Sequence, residues 1–377
     1  MIPLLDKLNN HKRLILVSLL IVTIGASFWG GSRYPQLDEK ALMGGDTQLE
    51  SPLSFDSVIQ MQQGDSASKQ IFVTTINWAA ENRNGMTFGI LFGAAFLTLF
   101  NLLKHRGSKN GFINTLLGLG AGAPLGVCVN CAAPIAKGMH SAGARLETTL
   151  AAMFSSPTLN VVILIMLFSI FPPYLAIIKL TLTLVFIILF IPLLTRTVFA
   201  DERVLTYDDS VCPMPGSDLP EQGEGWKQAF SGIFIAYFKN LWYIIKTTLP
   251  LMVLAGLLGA AAVTFIPLDA ISSIEVNFFN ALLVAAIGIF LPLPIALDLV
   301  IAAALLNSGL PVFYVGVLLF TLGIYSIYPF FIVWTSISKR VAIVLALVLM
   351  LMGVAGGYIA EYYHQQDLET MYEFLEE

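Results

Sequence analysis

Seven apolar runs recur along this chain, at 14–30, 86–103, 147–170, 174–195, 249–267, 311–335 and 341–360. Most approach the roughly 20 residues that carry a helix across the hydrocarbon core of a bilayer. A chain built this way is expected to be an all-α polytopic integral membrane protein. Its composition agrees: 56% of the 377 residues are hydrophobic and 12% are charged, against about 25% charged in soluble domains. The formal charge is −5, with no basic tract to grip nucleic acid. Three cysteines are too few for a disulfide framework.

The first run follows Lys7, Lys12 and Arg13 and ends near the small residues "GAS". Such a segment can be a secretory signal. Here residues 1–30 are read as an uncleaved anchor helix, since the rest of the chain is membrane-bound anyway. Residues 31–84 are polar and acidic and read as an extracytoplasmic loop; 85–199 form a first transmembrane repeat. Residues 200–228, rich in Pro, Gly and acids and containing Cys212, read as a cytoplasmic linker. Residues 229–360 form a second repeat. It opens on 229–246, where Lys239 and Asn240 interrupt an aromatic-rich stretch that suits an interfacial helix. Residues 361–377 are an acidic tail.

A shift of 166 positions aligns the two halves without gaps. It pairs Thr98 with Thr264, Asn114 with Asn280, Gly143 with Gly309 and Phe154 with Phe320. Charge gives their relative orientation. Lys104, Arg106 and Lys109 face a partner loop with Asp269 and Glu275 and no base. Lys137 and Arg145 face an uncharged stretch, and the counterpart of loop 171–173 carries Lys339 and Arg340. Lysine and arginine mark cytoplasmic loops, so matching loops of opposite bias predict two inverted-topology repeats. The topology closes if the Gly/Pro-broken stretches 112–142 and 278–308 are re-entrant hairpins. The N-terminus and linker are then cytoplasmic and the tail lies outside.

Broken backbone is tolerated at membrane depth where it is buried in protein or lines a cavity. Paired broken segments in two halves point to a substrate site near the midplane, although glycines can also serve close helix packing alone. "GAPLGVCVNC" (122–131) holds Pro124, Cys128, Asn130 and Cys131. One helical turn brings both thiols to one face. Thiolates suit soft ions, and two of them satisfy the two exchangeable positions of trivalent arsenic bearing one organic group. The bland reading makes each a small buried hydrophobe; a closed zinc site wants four ligands. Asp298, in "LPLPIALDLVIAAALL" with Pro292 and Pro294, is an acid inside an apolar run, and intramembrane acids are functional by default. Its repeat partner is Ala132, beside Cys131, so it is read as the coupling residue facing the cysteines. "FSSPTLN" contributes Ser155, Ser156, Pro157 and Asn160, and "FTLGIYS" contributes Tyr325 and Ser326. Their hydroxyls and amide either satisfy backbone freed at a kink or contact a substrate. His140 and Lys137 are read as marking the cytoplasmic end of the hairpin.

The stretch 122–164 resembles the predicted permease family that includes the ArsP organoarsenical efflux permeases, also called YraQ-like. The matching positions are Gly122, Pro124, Leu125, Gly126, Cys128, Pro134, Gly138, Gly143, Ala144, Ser156, Pro157 and Asn160. The resemblance covers roughly 85–360 and implies export of trivalent organoarsenicals or other thiophilic species in some members. The pair here is CVNC, one residue wider than the family's C-x-C, and the second half lacks the cysteine motif.

The expected function is proton-coupled efflux of a thiophilic solute across a bacterial inner membrane by a multi-pass permease. The cysteines would hold the transported metal or metalloid transiently. No enzyme activity and no cofactor are expected, and no GxxxxGK[ST] motif suggests ATP hydrolysis. The expected partners are the solute and the bilayer, with a homo-oligomer left open. The alternatives are a membrane thiol–disulfide electron carrier, a permease for an unrelated small solute, and a non-transporting subunit.

Overall fold

The computed structural model describes residues 11–35, 58–60, 65–103, 108, 110–200, 224–265 and 275–376, and every regular element among them is a helix. Residues 36–57 and 61–64 of loop 31–84, the bases Lys104, Arg106 and Lys109, linker residues 201–223 with Cys212, and Asp269 lie outside the described residues.

Helix α1 (His11–Phe28) runs into a π-helical turn, Trp29–Arg33. Helix α2 (Ala67–Leu103) follows. Then come the short α3 (Gly111–Gly122) and α4 (Val129–Ser141), joined through a 3₁₀ turn at Ala123–Leu125. Helices α5 (Leu146–Thr158) and α6 (Val161–Ile170) meet at a 44° bend. Helices α7 (Pro173–Val185) and α8 (Ile191–Thr197) are joined by a π-helical turn. The second half holds α9 (Trp226–Phe265), α10 (Phe278–Phe290), α11 (Leu297–Asn307), α12 (Val312–Thr321), α13 (Ile327–Ser336) and α14 (Lys339–Glu376). Among the described residues four stretches are long and apolar enough to cross a membrane: Lys12–Ser32, Pro173–Thr197, Trp226–Ala261 and Lys339–Glu369. Helices α5 and α6 meet the same length and hydropathy test only when taken together. Phe230, Phe234, Phe238 and Trp242 form an exposed stripe on α9, as do Ile343, Leu347 and Leu351 on α14. Apolar stripes of this kind face lipid in a polytopic protein.

Two boundaries differ from the sequence reading. Residues 67–84, expected in the loop, are the first turns of α2. Their polar side chains are used locally. Asn77 accepts from the Ile59 amide and donates to its carbonyl, and Asn82 donates to the Trp78 carbonyl. The expected interfacial helix 229–246 and the span 249–267 are one helix, α9. Asn240 does not interrupt it, because its amide donates to Thr98 Oγ1 on α2 at 2.9 Å, while Lys239 points outward.

The 166-residue offset recurs in the elements. The starts of α5 and α12, of α6 and α13, and of α7 and α14 are each 166 residues apart. Gly143 and Gly309 turn with φ of 87° and 86°. Asn114 donates to the Ser108 carbonyl and Asn280 to the Glu275 carbonyl, each tying down the entry to a short helix.

Both broken stretches turn back. Thr148 of α5 donates to the Asn114 carbonyl near the start of α3, and Gly122 at the end of α3 lies against Ala152 and Ser155. Helices α3 and α5 are therefore parallel. Helix α4 between them must return the chain to the end where α3 began. Likewise Tyr314 of α12 donates to the Glu275 carbonyl ahead of α10, and Gly288 near its end meets Thr321. Helices α3 and α10, of 12 and 13 residues, are about 18–20 Å long. That is short of the ~30 Å core, so neither helix is long enough to span it alone.

Helices α2 and α9 lead the two halves and run antiparallel. Leu102 clusters with Ile233, Thr98 meets Asn240, and Trp78 lies on Gly256. The halves also interlock: α13 packs on α4 and α6 on α11. At one end Arg13 of α1 forms a buried ion pair with Glu224, and Lys12 donates to the Glu224 carbonyl. The start of α1 and the end of the linker are thus on the same side.

Candidate functional site

Two hairpin tips and two helix breaks converge inside the bundle. Gly126 turns the first tip with φ 60°. A side chain there would be strained and would meet the Trp29 ring, in the π-helical turn after α1, at 2.6 Å. Past the turn, Cys128 is the N-cap of α4, its sulfur accepting from the Cys131 amide at 3.3 Å. Cys128 and Cys131 are joined as a disulfide, and both are buried. The sequence reading treated them as thiols; in this state neither sulfur is a thiolate.

Asn130, between them, is fully buried and ties the two halves together. Its amide donates to the Leu293 carbonyl in the second hairpin tip at 3.2 Å. Its Oδ1 accepts from Ser326 Oγ, at the N-terminus of α13, at 2.6 Å. Both Asn130 and Ser326 were expected at the site, and the structure brings them into direct contact.

The "SSPTLN" residues frame the first tip. The Val127 amide donates to Ser156 Oγ at 3.3 Å, and the same hydroxyl lies 3.4 Å from the Val127 carbonyl. Asn160 donates to the Ser156 carbonyl and caps α6 by accepting from Ile163 N. Ser155 sits between α3 and α5, with its Oγ 3.5 Å from the Leu119 carbonyl. Pro157 closes α5 just before the bend. For Ser155, Ser156 and Asn160 the backbone-satisfying role is the one visible. Pro124 lies exposed on the 3₁₀ turn, whereas Pro294 is buried in the second tip. Tyr325 is fully buried with its ring 5.6 Å from Phe154, and its hydroxyl has no hydrogen-bond partner.

Asp298 is buried in the first turn of α11. Its immediate partner is not the cysteine pair. Lys179 of α7, equally buried, reaches it with Nζ–Oδ2 of 2.9 Å. The turn at Gly323 (φ 73°) closes over the carboxylate, where any Cβ would come within 2.8 Å of it. Ala296, two residues before Asp298, is the one non-glycine with positive φ among the described residues, at 66°.

Sequence reasoning missed Lys179, Trp29 and Trp78. Lys179 had a signal: it is a base inside the apolar run 174–195. The default applied to Asp298 applies equally to it. Trp78 donates its indole N–H to the Pro292 carbonyl, capping backbone exposed by the second break. Nothing in the sequence spacing announces that contact. Lys137, expected at the hairpin's cytoplasmic end, is buried with its ammonium 5.4 Å from the centre of the Tyr243 ring.

Among the described residues no three His, Cys, Asp or Glu side chains gather as a metal site. The groups on offer are a cysteine pair, an amide–hydroxyl bridge and a buried ion pair.

A family model described as "Predicted permease" (ArsP_1) matches residues 74–362. The "UPF0718 protein YraQ" of Escherichia coli (strain K12) is 27% identical over 226 residues, covering 59% of this chain. The match spans 61% of that relative's length. No solved structure matches.

Proposed function

The chain belongs to the ArsP_1 family of predicted permeases, and from that membership we propose that this multi-pass membrane protein is a secondary transporter of the bacterial inner membrane, exporting a thiophilic solute. The observation that carries the reading is the Asn130 bridge. One side chain of the first hairpin holds the second hairpin and the second helix break, between two cysteines. A solute held there sits where the two halves meet, the place alternating access has to open first to one side and then to the other. Two inverted repeats are part of the proposal. They are supported by the antiparallel α2 and α9 and by the 166-residue recurrence of helix starts.

The binding form is the dithiol. Two cellular thiols, or one dithiol, reduce the Cys128–Cys131 disulfide by exchange: they supply two electrons and two protons and leave joined as a disulfide. Each thiol then displaces one hydroxyl from a mono-organyl trivalent arsenical, releasing two waters. Asp298 couples the cycle to protons, and the N-terminus and linker are cytoplasmic. A transporter rather than an enzyme is the role this family suggests.

The test is uptake of phenylarsenous acid into everted vesicles, with and without a pH gradient. Uptake is expected in the wild type and lost in Cys128→Ser/Cys131→Ser. Undiminished uptake in that variant would remove the cysteines from the site. The disulfide itself favours a second reading, a thiol–disulfide electron carrier. That reading requires the double variant to leave a periplasmic dithiol partner in a changed redox state; an unchanged partner rejects it.

A further inference from the structure

We propose that Lys179 is a second coupling residue, the internal cation that Asp298 gives up each time it takes a proton. The inference rests on the reading of Asp298 as the coupling acid and adds the group that competes for it.

The pair joins the two halves. Lys179 belongs to α7 of the first half and Asp298 to the hairpin of the second, with 2.9 Å between Nζ and Oδ2. Both side chains are withdrawn from solvent, at 4% and 8% exposure. Stability alone does not call for such a pair, because well-packed apolar residues hold a core as well or better. The backbone beside the pair is also strained at one residue, the left-handed Ala296. Asp298 follows a left-handed alanine, Ala296, and lies under a left-handed turn at Gly323. Sparsely populated backbone of this kind concentrates at functional sites. That turn leads directly into Ser326, whose hydroxyl holds Asn130. A change at Asp298 is therefore three residues from the bridge between the hairpins.

Among the described residues no third charged side chain bonds to the pair; helix α14, packed on α7, carries Glu361, His364 and Asp367, and of these Glu361 and Asp367 act on Tyr174 and His364 bonds it. Helix α6, packed on α11, is "VVILIMLFSI" and has no titratable side chain. Helix α12 carries Tyr314, whose hydroxyl is engaged by the Glu275 carbonyl. The 322–326 turn carries Tyr325, packed on Phe154. Besides Lys179, α7 carries Tyr174, bonded to His364 at 3.0 Å.

The exchange balances simply. A proton adds to the Asp298 carboxylate and makes the neutral acid. Lys179 keeps its three protons and loses its ionic partner, so the contact that joins α7 to the second hairpin weakens. Release of the proton on the other side restores it. No bond between heavy atoms changes.

Two readouts test this on the full chain in lipid. The first needs no solute: amide hydrogen exchange over 291–298 and 322–326, corrected for intrinsic rates, at acidic and at neutral pH. The wild type is expected to exchange about tenfold faster or more at acidic pH. Lys179→Met alone leaves a carboxylate buried without its cation and is at risk of misfolding, so the deciding variant is Lys179→Met/Asp298→Leu. It is expected to exchange equally at both pH values, while Lys179→Arg keeps the pH response. A wild type without pH response, or a double variant that retains it, overturns the proposal. The second readout is phenylarsenous acid flux. Where the wild type carries it, the double variant is expected to lose the response to a pH gradient, and a preserved response overturns the proposal. A wild type that does not carry phenylarsenous acid rejects the solute class alone; the exchange experiment still decides the role of Lys179.

Discussion

At the scale of single residues, Asn130, Asp298 and Ser326 stand where helices begin after a break. Asn130 is the clearest case, since it uses both ends of its amide across the interface between halves. Removing one partner of a buried hydrogen bond costs about 1–3 kcal/mol. Asn130→Ala and Ser326→Ala should therefore each destabilise the protein by that order. Because they share a bond, the double variant should cost less than the sum, by roughly 0.5–3 kcal/mol. Denaturant unfolding in detergent of the four proteins checks this; strict additivity would mean the bond is not made. The cysteines, Asn130, Asp298 and Ser326 were legible because polar residues inside apolar runs are costly and stand out. Lys179 met the same criterion and was passed over. Trp29 and Trp78 offered no comparable signal, because an aromatic in an apolar segment reads as core or interface. Only the fold reveals that Trp78 donates to the Pro292 carbonyl and that Trp29 lies on Gly126.

At the scale of elements, the hairpins depend on close approach between parallel neighbours. Helix α3 lies so near α5 that Gly118 and Gly122 touch its backbone, whereas Gly120 has open space. Gly122→Val should overfill the contact and cost about 1–3 kcal/mol or more. Gly120→Ala on the same helix should stabilise it by about 0.5–1 kcal/mol through helix propensity. Thermal unfolding of the two variants in lipid nanodiscs would show opposite shifts; a matching loss in both would mean that α3 does not pack as described. The sequence showed where the hairpins lie, because Gly and Pro cluster at their tips. It misplaced the start of α2 and divided α9 in two, because asparagines that look like loop residues are satisfied inside the bundle. Asn82 bonds its own helix and Asn240 bonds Thr98. Polarity predicts exposure only until a partner is found, and the partner of Asn240 is 142 positions away.

At the scale of the whole molecule, the charge pattern and the packing agree on one relation: the start of α1 and the end of the linker share a side. Reporter fusions at the N-terminus and within 200–226 should therefore report the same compartment, and a fusion after residue 377 the opposite one. A fusion pair that places the N-terminus and the linker in different compartments would sink the topology. The interlocking of α13 with α4 and of α6 with α11 has a matching expectation: neither half should hold its fold when made without the other.

The clasp between Arg13 and Glu224 also sets a clock. Its two members are separated by 211 positions, and a ribosome adding about 5–20 residues per second needs roughly 10–40 s to cover that distance. The first helix therefore enters the bilayer long before its carboxylate arrives, and by then the whole first half has already emerged. The clasp can close only once the linker has been made, and a chain cut short before that moment holds its first helix through packing on α2 alone, with Phe28 stacked on Phe88.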